Sequence, residues 1–509
     1  MHGYHTIVRV PRTIPRFALG LALGAGCAAM CVGCGAETPA AAPAVKSLPK
    51  ASAQTAQPSA AQSDPVQPAT DPRATQQGPP ARRPFASAPL ADLAAEGKNR
   101  AFDLPEIDDD KMAVAGIRKL AGKHITIYTD LPVGEVDELP AVFDAAVPLW
   151  CEYFGVDLAK IAQWKTYGHM MRDKERFVGT GLYLESLPEF PHGYSQGSQL
   201  WLYDQPSGYY RRHLLLHEGT HCFMFRWLGG AGPPWYMEGI AELLATHRWH
   251  AGKLALAVMP RTRDEVPYWG RVKIIRDDWA AGRGLSLTDV MHYDAQAHLR
   301  NEPYGWCWGA AAFLDQHPLT QAAFRQLKEG AADRTIDFSK RFQERLKPHW
   351  NQIAEDWQLF VTQCDYGYDV ARAAVVHRPV APLPAGGAKV TLDTARGWQS
   401  SGYRLEGGKT YEISATGRYE VAGGANPWPC EAGGITLRYH EGQPLGMLLA
   451  ATKGGSRASA VSPLINAYPV GLSSELTPDS SGPLYLRINE GANGLGDNRG
   501  TLEVEIRRK

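Results

Sequence analysis

The chain has 509 residues, of which 44% are apolar, 21% charged and 10% aromatic. Basic and acidic residues number 53 each, so the formal net charge is zero. This neutral balance, with only short basic runs, excludes an electrostatic case for a nucleic-acid partner or a strongly acidic substrate.

The first segment, residues 1–36, has the pattern of an export signal. Several arginines precede the small, apolar stretch FALGLALGAGCAAMCVGCGA at 17–36, which is typical of a secretion signal. Cysteines after small residues at its end, Cys27, Cys31 and Cys34, resemble the acylated cysteine of a bacterial lipoprotein. Ordinary cleavage and retention as a membrane anchor are the alternatives. We expect an exported protein of the bacterial cell envelope, attached by a lipid or by the signal itself.

Composition divides the rest of the chain. Residues 37–97 are rich in Ala, Pro and Gln and predict a disordered linker. Residues 98–372 carry strand patterns followed by helix patterns, which predicts an α+β domain. Residues 373–388 read as a second linker. Short alternating runs between glycines at 389–509 predict an all-β sandwich.

Within the α+β region, the apolar periodicity predicts the elements in order. Strands are expected at 124–130 and 199–205, with a helix at 138–156 between them. Next come a helix at 207–230, capped by Ser207 and ended by glycines, and a helix at 233–249. Further helices are predicted at 306–316, 319–329, 336–346 and 350–363.

The stretch His217-Glu218-Gly219-Thr220-His221 carries the pattern HExxH. Histidines four apart lie on one helix face, so both can bind a single Zn²⁺. Glu218 can accept the proton of a zinc-activated water as that water attacks a carbonyl. The pattern predicts a zinc site with Glu218 as general base. Five residues also match by chance, so the prediction needs a third ligand.

That third ligand is expected on the next helix. Catalytic zinc takes three protein ligands and keeps one position open. Sixteen residues lie between His221 and Glu238, and Gly and Pro at 229–234 let the chain fold back. Glu238 then binds the metal, and Glu242, one turn on, holds the ring N–H of a ligand histidine. A solvated helix face is the alternative, although mostly apolar neighbours argue against it.

HEGTH followed by WYMEGIAE resembles the gluzincin clan of zinc metallopeptidases, and most of all its peptidase-MA-like bacterial envelope proteins. The resemblance covers roughly residues 120–320 and implies a thermolysin-like fold. It implies His217, His221 and Glu238 as zinc ligands, Glu218 as general base, and a peptide or protein substrate. The spacing departs from that of the aminopeptidase-N family, so an endopeptidase is expected.

Three further features belong to this hypothesis. The stretch YGWCWGAAAFL at 304–314 resembles the family's YxxGW-type stretch. Tyr304 would stabilise the oxyanion, although Cys307 stands where the family has Gly; a Tyr capping a core helix is the alternative. His213 is expected to pack or to support a ligand, because one metal cannot span two helical turns. The strand at 197–205 is expected to be an edge strand that pairs with substrate.

The C-terminal stretches at 397–419 and 482–506 resemble the calcium-dependent galactophilic PA-I-like lectin fold, a galactose-binding sandwich. That resemblance implies Ca²⁺ at Glu490, Asp497 and Asn498, and a cell-surface glycan as partner. Oxygen ligands clustered in one loop suit Ca²⁺. The alternative is a turn without metal, since Asp, Asn and Gly favour turns in any case.

Together these patterns predict an exported zinc metallopeptidase with a carbohydrate-binding-like module. One alternative is a catalytically silent envelope protein that binds glycans for adhesion on a metallopeptidase scaffold. Another is a structural zinc site. The intact set of ligand and base residues favours the enzyme.

Overall fold

A computed structural model describes four stretches of the chain, namely residues 103–297, 300–422, 426–454 and 461–509. The predicted signal segment, 1–36, and the predicted linker, 37–97, lie outside these residues and stay predictions. Among the helices described, none combines the length and apolar character needed to cross a membrane.

The first sheet precedes most of the helices, as expected. After helix α1, Asp109–Val114, it is formed by β1 Arg118–Ala121, β2 Ile125–Thr129, β3 Thr166–Met171, β4 Gly193–Gln196 and β5 Gln199–Tyr203. The strand order is β1-β2-β3-β5-β4. Strands β2, β3 and β5 run parallel, while β1 and β4 pair antiparallel at the two edges.

The edge-strand prediction for 197–205 is therefore wrong. β5 lies between β3 and β4, and the edge beside the later helices is β4. The sequence of β4, Gly-Tyr-Ser-Gln, has no apolar alternation, because an edge strand is only half covered. Its position depends on its pairing with β5, which the strand pattern does not show.

Four helices follow the sheet strands or lie between them: α2 Leu139–Phe154, α3 Lys174–Thr180, α4 Gly208–Trp227 and α5 Pro234–Ala245. The Ser207 side chain caps α4 by accepting a hydrogen bond from the Tyr210 backbone N–H. The helix predicted over 233–249 is too long. The backbone turns extended at Thr246, and a hairpin follows, β6 Arg248–His250 with β7 Lys253–Ala255.

The helical half of the region continues to residue 373. Its helices are α6 Arg271–Ala280, α7 Leu287–Met291, α8 Glu302–Gln316, α9 Gln321–Arg325, α10 Ile336–Leu346, α11 Trp350–Gln363 and α12 Val370–Ala373. Short 3₁₀ turns lie at Leu158–Ile161, Arg263–Glu265, Gln326–Gly330, Lys347–His349, Pro463–Ile465 and Leu495–Asp497. One hydrophobic core joins α2, α4, α5, α8 and α11.

The C-terminal part is all β apart from two 3₁₀ turns. Its strands are β8 Ala381–Pro382, β9 Ala388–Asp393, β10 Gln399–Leu405, β11 Tyr411–Thr416, β12 Tyr419–Val421, β13 Trp428–Cys430, β14 Ile435–His440, β15 Gln443–Leu445, β16 Leu448–Thr452, β17 Tyr468–Pro469, β18 Ser473–Leu476, β19 Gly482–Ile488 and β20 Thr501–Arg508. The orders β17-β16-β19-β10-β8 and β18-β11-β20-β9 form two sheets. Residues of both sheets share one core, so they form a sandwich.

The two regions are in close contact. The described residues, from 103 to 509, belong to one compact unit. The Glu355 carboxylate on α11 accepts hydrogen bonds from Lys453 and from Ser462 of the sandwich. A small apolar cluster also joins Leu359 to Trp398 and its neighbours. The chain is thus mixed α and β, as expected, while the domain boundaries at 372 and 389 stay predictions.

Candidate metal centre

Helix α4 presents two histidines on one face. The Nε2 atoms of His217 and His221, one turn apart, are separated by 3.1 Å. The opposite face packs on α2, where a Cβ on Gly219 would lie 2.8 Å from both Phe143 and Trp150. Gly219 therefore lets the two helices approach closely, which fixes the histidine face toward α5.

Helix α5 brings a carboxylate to the same point. Glu238 Oε2 lies 3.3 Å from His217 Nε2 and 3.7 Å from His221 Nε2. The fold-back predicted from glycines is present, with Gly229 and Gly232 in the left-handed region at φ 73° and 72°. Gly239 lets α8 approach, since a Cβ there would lie 2.9 Å from a backbone oxygen of α8.

These three side chains fit a zinc ion. One ligand atom from each lies within 4.8 Å of the others, and all three side chains are buried. Within the part of the chain described, Glu238 Oε2, His217 Nδ1 and His221 Nδ1 have no hydrogen-bond partner. Burial would raise the pKa of Glu238, but the adjacent His217 and His221 rings lower it overall. Two imidazoles and a carboxylate are a common donor set for Zn²⁺.

Glu242 lies behind His217, one of the predicted metal ligands. Its Oε1 is 3.3 Å from His217 Nδ1, on the ring edge opposite Glu238. Arg271 binds the same carboxylate with two N–H groups, at 2.8 and 2.9 Å. Burial would raise the pKa of Glu242, but the Arg271 guanidinium holds it well below its usual value. A charged carboxylate is therefore kept against His217.

Two residues of the site were not predicted from the sequence. Arg271 begins helix α6, for which no helix was predicted, and it is far from HEGTH along the chain. Gly193 on β4 faces Glu218, since a Cβ there would lie 2.8 Å from Glu218 Oε1. For Arg271, the sequence signal was limited to its place two residues after Trp269, a large aromatic side chain that is buried in the fold.

Tyr304, in the first turn of α8, lies beside the same cluster. Its ring centroid is 6.0 Å from that of His217, and the Arg271 guanidinium lies 5.6 Å from it. Burial and the carboxylates of Glu238 and Glu218 raise the pKa of Tyr304 far above its usual value. The phenol therefore keeps its proton and can donate a hydrogen bond.

His213 contacts Glu242 rather than the predicted ligands. Its Nε2 lies 3.3 Å from Glu242 Oε2, and its Nδ1 donates to the Ala245 carbonyl at 3.0 Å. Burial lowers the pKa of His213. The residue thus packs behind the site, in contact with the carboxylate that supports His217.

The three residues predicted to bind calcium differ in environment. Glu490 and Asn498 are buried, while Asp497 is exposed. The Asn498 amide donates to Glu490 Oε2 at 2.6 Å and to the Thr394 carbonyl at 3.0 Å. Asn498 Oδ1 lacks a hydrogen bond among the residues described. Calcium at this loop stays a prediction.

Comparison with known proteins gives weak structural similarity only. No protein-family model matches the chain, and no curated protein matches it. The PllA-like lectin that is the N-terminal domain of EclA is 22% identical, with a TM-score of 0.19. It covers 25% of this chain and 100% of its own.

A second similarity is to IMPa from Pseudomonas aeruginosa. The IMPa metallopeptidase is 11% identical with a TM-score of 0.14, covering 69% of this chain and 38% of its own. IMPa in complex with an O-glycopeptide is 13% identical with the same TM-score, covering 49% and 25%. The chain thus spans well under half of IMPa. TM-scores this low do not establish a shared fold or activity.

Proposed function

We propose that the chain is a zinc-dependent metallopeptidase with a gluzincin-like site. The observation that carries the proposal is the convergence of His217, His221 and Glu238 on one buried point, with Glu218 on the same helix. When bound there, zinc would polarise a carbonyl and lower the pKa of a water to about 7. Three ligands leave a position open for that chemistry, which argues against a purely structural zinc.

The side chains around the cluster supply the remaining functions. Glu218 takes the proton from the attacking water and passes it to the leaving amine. Tyr304, which keeps its proton, donates a hydrogen bond to the oxygen that gains charge as the carbonyl is attacked. Glu242 accepts the His217 Nδ1 proton and so leaves Nε2 unprotonated for the metal.

The substrate is proposed to bind as an extended peptide along β4. This strand lies at the edge of its sheet among the described residues. An edge strand has backbone N–H and C=O groups that can pair with a peptide. Because Gly193 is in contact range of Glu218, a peptide paired here would run past the general base. Cleavage within a chain, as by an endopeptidase, suits such a binding mode.

The test is cleavage of an unbiased peptide mixture by the purified chain beside its Glu218→Gln variant, with bound metal measured in both. We expect about one zinc in each protein and cleavage by the wild type alone, with kcat reduced about 10²–10⁴-fold in the variant. Glu185→Gln, at an exposed position ahead of β4, is the matched control and should remain active.

The rival hypothesis is a silent glycan-binding protein of the cell envelope. Zinc in both proteins with no cleavage of any peptide, glycosylated or not, would favour that rival. Absence of zinc from both would contradict the metal site. Export, attachment to the envelope, and glycan or calcium binding by the sandwich are further proposals, supported by sequence patterns alone.

A further inference from the structure

The site contains two overlapping groups that could each hold a metal. One is His217, His221 and Glu238; the other is His213, His217 and Glu242. They share His217 but use opposite ring nitrogens. His217 Nε2 faces Glu238 at 3.3 Å, while Nδ1 faces Glu242 at 3.3 Å. A neutral imidazole carries a proton on one nitrogen only, so a metal on one edge excludes a metal on the other.

The second group is itself suited to a cation. A carbonyl oxygen can only accept a hydrogen bond, so His213 Nδ1 donates its proton to Ala245 at 3.0 Å. The Nε2 of a neutral His213 then carries a lone pair, which points at Glu242 Oε2 from 3.3 Å. Two lone pairs in contact, with His217 beside them, form the kind of cluster that a metal ion stabilises.

Arg271 is what separates the two groups. Its Nε and Nη2 occupy both oxygens of Glu242, and its Nη1 donates to the Trp269 carbonyl at 2.8 Å. The side chain is 12% exposed, and it lies over the Tyr304 ring. Three donors in fixed directions hold the guanidinium in place. Its charge neutralises Glu242 and repels a dication there, while Glu238 has no ion pair with an arginine or lysine among those the structure describes.

We infer that Arg271 is a positioning residue that determines which group binds the metal. It blocks the group of His213, His217 and Glu242, and it holds Glu242 with its carboxylate 3.3 Å from His217 Nδ1. This inference rests on the proposed zinc site, but it concerns metal binding and not peptide cleavage. Removing Arg271 should open the second group.

The test uses Zn²⁺ titrations in the background of His221→Ala, which disables the first group. We expect His221→Ala to bind zinc weakly. The double variant His221→Ala/Arg271→Gln should bind zinc at least tenfold more tightly than His221→Ala. Tenfold is the lower limit of the change in metal affinity that follows when residues supporting metal ligands are altered. Adding His213→Ala should remove that gain. Arg271→Lys keeps a positive charge and should give no gain. Arg276→Gln, on the same helix with a 57% exposed side chain, is the matched control.

The outcomes separate this inference from the proposed function. A zinc gain that depends on His213 supports the role of Arg271 even if the wild type cleaves no peptide. No gain in a folded double variant contradicts it even if the wild type is an active peptidase. If His221→Ala/Arg271→Gln does not fold, the zinc affinity of the His221→Ala single variant tests the inference instead. Zinc binding by His221→Ala that is as tight as wild type and is removed by His213→Ala would show that Arg271 blocks nothing.

Discussion

The chain has two clusters of buried polar side chains for which sequence patterns suggest a metal, and they differ in how those groups are satisfied. Around His217 and His221, ring nitrogens face each other at 3.1 Å, and Glu238 Oε2 has no hydrogen bond within the described residues. In the sandwich, the Asn498 amide donates to the Glu490 carboxylate at 2.6 Å. In the first cluster Glu238 Oε2 lacks a hydrogen-bond donor among the residues described, whereas in the second cluster Asn498 donates a hydrogen bond to the Glu490 carboxylate.

The pKa values of the two buried carboxylates, Glu238 and Glu490, are shifted in opposite directions. Histidine partners outweigh burial and lower the pKa of Glu238. Burial outweighs the Asn498 hydrogen bond and raises the pKa of Glu490. A buried carboxylate whose pKa is lowered suits a cation better than one whose pKa burial raises. The contacts that these residues make in the fold are therefore a better indication of a metal site than the residue types alone.

The largest expected difference between the clusters is in metal binding. His221→Ala removes one of the three proposed zinc ligands, so zinc affinity should fall by at least about a hundredfold, since loss of partners behind ligands already costs about 10–100-fold. Asn498→Ala should leave zinc affinity unchanged. Both are measured by zinc titration of the chelator-treated protein. His250→Ala, at an exposed histidine, is the control, and an equal loss in all three variants would contradict the assignment.

The second prediction concerns the phenol beside the zinc cluster. Tyr304→Phe removes a hydrogen-bond donor but keeps the ring that lies against Arg271. We expect kcat to fall about 10²–10³-fold, because the donor acts on charge that develops in the transition state, with zinc content and KM little changed. Tyr268→Phe, at a 69% exposed position, should have no effect. Unchanged kcat in Tyr304→Phe would leave Tyr304 as a helix-capping residue.

Much of this site could be predicted because it lies on helices with a strong local pattern. The spacing of His217 and His221 fixes a shared face, and the following glycines and Pro residues predict the return of Glu238. Helical geometry then places Glu242 one turn on. Each of these steps depends on residues within about 30 positions in the chain, where local rules hold.

What could not be predicted depends on contacts between distant segments. Arg271 reaches Glu242 because α6 packs near α5 and α8, and its own segment has no helix pattern strong enough to reveal it. Strand β4 was missed for a similar reason, since its neighbour β5 determines its position. In the sandwich, the short alternating runs predicted the β architecture, but the hydrogen bond between Glu490 and Asn498 depends on packing that turn-forming residues do not encode.

The third prediction uses acid to compare the two clusters in the metal-free protein. Glu238 has a lowered pKa in the fold, so its stabilising contribution is present above the ordinary value of 4.5 and is lost as pH falls. His217 has a raised pKa, because the carboxylates of Glu238 and Glu242 on its two edges outweigh burial, so its contribution is present below 6.5 and is lost as pH rises. Thermal midpoints in chelator should therefore plateau between these values. In Glu238→Gln, the fall of the thermal midpoint at acid pH should become shallower. An unchanged dependence of the midpoint on pH would contradict the interaction of Glu238 with the histidines.

The smallest expected effect is a gain in stability rather than a loss, and it concerns Glu490 and Asn498 in the sandwich. Burial raises the pKa of Glu490, so the folded state holds its proton more tightly than the unfolded state, and the charged form costs stability at neutral pH. Glu490→Gln removes the charge but keeps an oxygen that can accept from Asn498. We expect the variant to be more stable at pH 7, by no more than about 1 kcal/mol, with the difference vanishing in acid.

Adding Ca²⁺ to wild type and Glu490→Gln distinguishes two interpretations of Glu490, a hydrogen-bonded buried carboxylate or a calcium ligand. If Glu490 is only a buried, hydrogen-bonded carboxylate, added Ca²⁺ should leave the thermal midpoints of wild type and Glu490→Gln alike. If the loop binds calcium, the ion should raise the wild-type midpoint and not that of the variant, because binding to the folded state alone shifts the unfolding equilibrium. The hydrogen bond from Asn498 favours the first outcome, since an ion on Glu490 Oε2 would have to displace it.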